Sequence, residues 1–224
     1  GKLTGLTHEA IAMTSSYEDF MEGTVNMSRF IYDCANVSTR YRIVPLDTCT
    51  PIWMRGPGEA TGSFALESAM DELAHKLNMD PIEFRKLNYA EKDLEQNKPW
   101  SSKYLLECYE GGMERIGWKN RKNKPGSVKE GEWLVGYGMG TGTFGSYRNP
   151  TSVKAKFLAD GNLVLQCSVN DMGPGTATMM TAIGAEITGL PSENVIIEMG
   201  KSGLPKGPTQ GGSATTSSVG SAVH

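Results

Sequence analysis

Histidine and cysteine are scarce and scattered. The three histidines (His8, His75, His224) and four cysteines (Cys34, Cys49, Cys108, Cys167) match no zinc or iron–sulfur spacing. That argues against a transition-metal site built from this chain's side chains alone. It reads the cysteines as small buried hydrophobes in a reducing compartment. An excess of positive charge is also missing. Lys and Arg number 22 against 25 Asp and Glu, for a net charge of −3, so nothing points to nucleic acid. No apolar run approaches the roughly 18 residues of a membrane span. No basic stretch followed by a hydrophobic one opens the chain at Gly1, so no signal peptide is expected. No Ser/His/Asp or Cys/His arrangement stands out.

Glycine is what the sequence has in plenty, 27 in 224 residues, with 11 prolines. The glycines cluster at 56–62, 136–145, 172–175 and 200–212, between segments that read as regular structure. Such clusters let the backbone approach itself or a ligand closely.

Residues 2–14 read as one long strand or a strand pair, 17–34 as a weak helix broken by Gly23, and 37–46 as a strand. Leu66, Met70, Leu73 and Leu77 predict one apolar face of a helix over about 63–77. Asp80-Pro81 supplies an N-cap and a first-turn proline for a short helix to about residue 90. Ser101 or Ser102 is expected to cap a further helix to Ile116, with Leu105, Cys108, Tyr109 and Ile116 inward. Residues 119–131 are basic and polar and read as the linker. Beyond them, Val153 to Leu158 and Leu163 to Val169 flank Asp160-Gly161, a hairpin signal. A helix over about 176–188 closed by Gly189, a strand at 195–199 and a small-residue helix from about Ser213 complete a mixed α/β reading.

Three segments could carry chemistry. Asp171-Met172-Gly173-Pro174-Gly175-Thr176 opens a helix, where unpaired N–H groups and the positive dipole end favour an anion. It lacks the Lys of a phosphate loop and the third glycine of a dinucleotide fingerprint, and the alternative is an ordinary glycine turn. Thr209-Gln210-Gly211-Gly212-Ser213-Ala214-Thr215-Thr216 also opens a helix and offers many hydrogen-bonding groups; the alternative is a flexible tail. Trp53-Met54-Arg55-Gly56-Pro57-Gly58-Glu59 places one arginine among glycines, as an anion or oxo-group ligand or as a surface residue paired with Glu59. Glu67 reads as a solvated helix-face residue, and so do Arg85 and Arg115.

Taken together these segments resemble a known family. "MRGPGEATGSFALESAMDELAHKLNMDPIEFRKLNYAEKD" at 54–93, "WLVGYGMGTGTF" at 133–144, "NDMGPGTATMMT" at 170–181 and "GGSATTSSVGSA" at 211–222 are similar, in order, to the molybdenum-binding large subunit of the xanthine dehydrogenase/aldehyde oxidase family. Bacterial aldehyde dehydrogenases of that family are the nearest variant. The resemblance implies an α+β (mixed α/β) fold: two lobes of a molybdenum cofactor-binding domain, with helices packed on mixed sheets. Residues 1–125 would form the rear of the first lobe and 130–224 the front of the second. It implies a molybdenum–molybdopterin cofactor, in its cytosine dinucleotide form. The reaction would be oxidation of aldehydes or N-heterocycles with water as oxygen donor. Iron–sulfur and FAD partner subunits of a heterotrimeric dehydrogenase would take the electrons. A cytoplasmic location goes with it, the periplasm being the alternative.

By the same resemblance, Arg55 matches the arginine beside the molybdenum centre. Gly173, Gly175 and Thr176 match the Gly-x-Gly segment at the cofactor, and Gly211, Gly212, Ser213 and Thr215 the groups around the pterin and its phosphate. Pro174 replaces a glutamine that many members place between those glycines. Pro57 and Gly23 stand where xanthine-oxidising members place an aromatic and an arginine, which favours an aldehyde over a purine. The family's catalytic glutamate is expected beyond His224, so no catalytic residue is assigned on this chain, and the isolated stretch is expected to be inactive. Two other readings stand beside this one: a binding or scaffold module of the same family without redox activity, and an unrelated nucleotide-binding protein.

Overall fold

The computed structural model describes residues 1–224, with five α-helices and four small sheets. Two compact units divide it, Gly1–Phe144 and Gly145–His224. Residues 119–131, read from composition as a linker, lie inside the first.

The first unit opens on a two-stranded parallel ribbon, β1 (Leu6–Ser15) with β2 (Val37–Leu46), in register from Leu6↔Val37 to Ser15↔Leu46. Between them the expected helix at 17–34 is absent apart from a 3-10 turn at Asn26–Arg29. The reason is a close backbone approach. A Cβ on Gly58 would lie 2.4 Å from the Gly23 nitrogen, and one on Gly62 would lie 1.8 Å from the Thr24 carbonyl oxygen. The chain at 23–24 is thus pressed onto the start of α1 (Glu59–Lys76) and cannot coil there.

Helix α1 starts earlier than periodicity suggests and turns inward Leu66 and Met70 of the expected face but not Leu73 and Leu77. Gly62, Leu66, Met70 and Ala74 are buried at steps of four, whereas Leu73 and Leu77 are 38% and 45% exposed. Leu66, Met70 and Ala74 pack with Met27, Ile31, Tyr32 and Phe84. Helix α2 (Pro81–Leu87) starts as read and ends short of the expected residue 90, at the C-cap Asn88. Asp80 is its N-cap and accepts from the N–H groups of Ile82 (2.8 Å) and Glu83 (3.3 Å). A two-residue ladder of β3 (Lys92–Asp93) and β4 (Lys98–Pro99) leads to α3 (Leu105–Arg115). Neither Ser101 nor Ser102 caps α3; Tyr104 stands at that position without a side-chain bond. Only Tyr109 is buried on this helix, while Cys108 and Ile116 are exposed. The antiparallel hairpin of β5 (Val128–Glu130) and β6 (Trp133–Val135) follows.

Asp80 also accepts from the Trp118 indole Nε1 (2.9 Å) and pairs with Arg121 (2.8 Å), which ties 118–121 to the start of α2. Burial works to raise its pKa. The hydrogen bonds from Arg121, Trp118, Ile82 and Glu83 outweigh that and hold the carboxyl below its ordinary value. Asp80→Ala is expected to cost about 1–2 kcal/mol, as lost N-caps do. A depressed carboxylate stabilises the fold above its unfolded pKa of about 3.9, and that stability disappears as pH falls through the folded pKa. Urea unfolding of both proteins at about pH 7 and about pH 3 checks this. An equal gap at both pH values would remove the charge from the account.

The second unit holds a mixed three-stranded sheet. β7 (Lys154–Phe157) is antiparallel to β8 (Leu163–Gln166), which is parallel to β9 (Val195–Glu198). The predicted turn is present, with Gly161 at φ +85°. β8 is buried throughout, as a strand covered on both sides should be. Helix α4 (Thr176–Thr188) crosses from β8 to β9. It comes close because Gly184 has no side chain: a Cβ there would meet Leu165 Cδ1 at 2.9 Å. Helix α5 (Thr215–Val223) adds Val219 to the same core, beside Met180 and Leu165. Of the four thiols, Cys34 and Cys167 are buried as expected, but Cys49 and Cys108 are exposed.

Candidate functional site

In the second unit the two glycine loops each deliver the chain into a helix. Gly173 (φ +119°) and Gly175 (φ +90°) take left-handed backbone that a side chain would strain. This bends 171–175 so that its amides converge on one acceptor, the Asp171 carboxylate. Asp171 Oδ1 accepts from Gly173 N (2.8 Å) and Gly175 N (3.3 Å), and Oδ2 from Thr176 N (2.7 Å). These bonds, that from Gly173 foremost, hold the exposed Asp171 carboxyl below its ordinary value. The amides expected to be free at this helix start thus already have an internal anion. The sequence showed Asp171 at the head of the segment but not this role.

The second loop folds through a turn with Gly212 at φ +59° and Ser213 at φ +53°, and the Ala214 N–H bonds the Gly211 carbonyl (3.1 Å). Gln210 joins the loops. Its Nε2 donates to Thr176 Oγ1 (3.4 Å), and its Oε1 accepts from Thr215 Oγ1 (2.9 Å). Thr176 and Thr215 are both buried. Six of the sequence-predicted residues, Gly173, Gly175, Thr176, Gly211, Gly212 and Thr215, therefore belong to two loops linked by one amide side chain, and Ser213 stands exposed in the second. Gln210 was legible only as an amide among hydroxyls.

The donor set suits a polar, anionic group. Neither α4 nor α5 carries an acidic residue in its first turn, so both positive dipole ends stay uncompensated from within the helix. Gly173 and Gly211 have no atom within 4 Å of where a Cβ would stand, which leaves the backbone open to a ligand. Pro174 contributes no N–H. Asp171 places a negative charge against three of the amides, and an incoming anion competes with it there.

Arg55 lies in the first unit. It is exposed, and neither it nor Glu59 takes part in an ion pair. Its loop is fixed on either side. Gly58 presses against Gly23, and Trp53 packs on Phe20 with ring centroids 5.4 Å apart. Pro57 and Gly23, where the resemblance expects an aromatic and an arginine in xanthine-oxidising members, thus flank one backbone contact.

Two expectations fail in the first unit. Glu67 and Arg85 are not solvated. Arg85 is fully buried and the Glu67 side chain 9% exposed, with Arg85 Nε 2.8 Å from Glu67 Oε2 and Arg85 Nη1 2.7 Å from Asp71. Glu67 also accepts from the Tyr32 hydroxyl (2.5 Å) and the Thr141 N–H (2.7 Å). Tyr109 bonds the Thr141 hydroxyl (2.6 Å). Burial, then the Glu67 charge, drives the Tyr32 phenol well above its ordinary pKa. Burial alone would lower the Arg85 pKa, but the negative charge of Glu67 more than reverses this. With its oxygens so engaged, Glu67 is a structural anchor between α1, α2 and residue 141.

Residues 1–89 match one molybdopterin cofactor-binding domain family, and residues 111–224 match a second family of the same description. The aldehyde oxidoreductase molybdenum-binding subunit PaoC of Escherichia coli K12 is 35% identical over 98% of the chain, which spans 30% of that protein. The aldehyde oxidoreductase structure from Desulfovibrio gigas aligns with a TM-score of 0.68 at 22% identity, over 98% of this chain and 26% of that one. Quinoline 2-oxidoreductase from Pseudomonas putida 86 aligns with a TM-score of 0.71 at 17% identity, over 98% and 32%. The chain thus spans about a third or less of the proteins it matches. The order of motifs, the two linked loops and these matches agree: the chain belongs to the molybdopterin cofactor-binding domains found in molybdenum-binding subunits of the xanthine dehydrogenase/aldehyde oxidase family.

Proposed function

We propose that this stretch forms part of the cradle for molybdopterin in a molybdenum hydroxylase that oxidises aldehydes or N-heterocycles with water as the oxygen donor. The observation that carries the reading is the Thr176–Gln210–Thr215 linkage. It joins two helix-opening glycine loops whose backbone is open at Gly173 and Gly211. The cofactor, when bound, supplies the redox chemistry at molybdenum. The chain's part is to bind and orient. The amides of Gly173, Gly175 and Thr176, exchanged from Asp171, and those at 211–213 hold polar and phosphate oxygens, Thr176 and Thr215 fix the loops, and Arg55 donates to an oxygen near the metal centre. The cytosine dinucleotide form, iron–sulfur and FAD partner subunits, and a cytoplasmic location belong to the same proposal. Gly23 and Pro57 leave no guanidinium and no aromatic ring for a purine, which supports a smaller carbonyl substrate.

The test is Arg55→Ala against Arg115→Ala in the full-length protein, reading molybdenum content and aldehyde turnover together. Arg115 is the proper control because it is exposed and unpaired, whereas Arg85 is a buried structural ion. A charge-assisted bond is worth about 1.5–3 kcal/mol, so Arg55→Ala should cost roughly tenfold to hundredfold. Equal losses at both positions would remove Arg55 from the site. Intact, folded protein without molybdenum would favour a scaffold role, which Pro174, lacking an N–H donor, also suits.

A further inference from the structure

We propose that a cavity in the first unit, walled by the basic segment 119–124, binds a small phosphorylated compound. The function described above leaves this segment unused. It places Lys119, Arg121, Lys122 and Lys124 within six residues. The last three line a cavity of about 460 Å³, together with Asp71 and His75 of α1 and with Tyr137. Small-molecule sites usually occupy about 300–1,000 Å³.

The charge balance selects an anion. Asp71 shares Arg85 with Glu67, at 2.7 and 2.8 Å, and Asp80 pairs with Arg121 at 2.8 Å. Lys122 and Lys124 have no carboxylate partner. With Arg121, Lys122 and Lys124 against Asp71, the lining keeps an excess of positive charge. Arg121 is held in place by Asp80 and by the Trp118 ring, whose centroid lies 4.3 Å from its guanidinium carbon. A guanidinium held in place beside two unpaired ammonium groups is a donor pattern for a multi-oxygen dianion. Gly126 and Gly136 line the same cavity with nothing within 4 Å of a would-be Cβ, so backbone is open there too. Val135 and Tyr137 supply apolar surface for an organic portion.

The site uses none of the α4 and α5 loops, so its failure is separate from that of the cofactor reading. The probe is pyrophosphate, titrated calorimetrically into the full-length protein at constant ionic strength. Saturable binding is expected. K122A/K124A should weaken it at least about tenfold, with molybdenum content and thermal midpoint unchanged. K154A/K156A, which removes two exposed lysines of β7, should leave binding as it is. The proposal is overturned if no saturable binding appears, or if both double variants lose affinity equally, which would mark a general surface-charge effect.

Discussion

Replacing Arg85 with Leu should lower the unfolding free energy of the first unit by about 3–5 kcal/mol, the cost of stranding one member of a buried ion pair. Total stabilities are about 5–15 kcal/mol, so this would bring the unit near unfolding at ordinary temperature. Arg85 is fully buried and bonds Glu67, Asp71 and the backbone carbonyls of Glu67 and Pro81. Its removal leaves Glu67 charged beside Tyr32 with no cation. All four tryptophans (Trp53, Trp100, Trp118, Trp133) lie in this unit, so fluorescence-monitored urea unfolding of the 224-residue chain reports on it selectively. Glu67→Leu combined with Arg85→Leu should cost less than Arg85→Leu alone, because no orphaned charge stays buried. A double variant whose loss equals the sum of the single ones would mean the two side chains act independently, against the observed pairing.

The network was hard to read in sequence for a physical reason. Charged residues in helices are usually solvated, and the partners stand 18 residues apart on two helices. Two local hints existed. Arg85 falls three residues after Ile82, on the face α2 buries, and Glu67 and Asp71 form an i,i+4 carboxylate pair beside the buried row of Leu66 and Met70. On α1 the expected face held at Leu66 and Met70 and failed at Leu73 and Leu77. Leucine spacing favoured Leu73 and Leu77, but the glycine contact at Gly62 rotates Gly62 and Ala74 inward. Local chemistry was legible. Asp80-Pro81 capped α2, Asp160-Gly161 turned β7 into β8, and Gly175 and Gly189 bounded α4. The helix at 17–34 failed because a tertiary contact at Gly23 and Thr24 overrode a weak local pattern. At the candidate site the glycines were legible as loop formers, since positive φ is a local demand. Asp171 as an internal acceptor and Gln210 as the bridge depend on loop geometry that spacing does not encode.

Gly62→Ala should destabilise the first unit by about 1–3 kcal/mol, against the direction helix propensity gives. In a free helix, alanine gains about 1 kcal/mol over glycine. At this position the added Cβ would stand 1.8 Å from the Thr24 carbonyl oxygen and 2.8 Å from its carbon. Those are backbone atoms and cannot rotate away as a side chain could. Either α1 or the chain at 23–24 must move, and overpacking of this kind costs about 1–3 kcal/mol and occasionally more. Gly111→Ala in α3 is the matched control, because nothing lies within 4 Å of its Cβ position; there propensity should win, with a gain of up to about 1 kcal/mol. Urea midpoints of the two variants should move in opposite directions. The displacement at Gly62 also reaches the proposed site, since Gly23 and Gly58 meet beside Arg55. In the full-length protein Gly62→Ala should therefore lower molybdenum content or aldehyde turnover while Gly111→Ala leaves both unchanged. If Gly62→Ala raised the midpoint as Gly111→Ala does, α1 could not be pressed onto the Gly23–Thr24 backbone, and the fixed geometry of the Arg55 loop would lose its support.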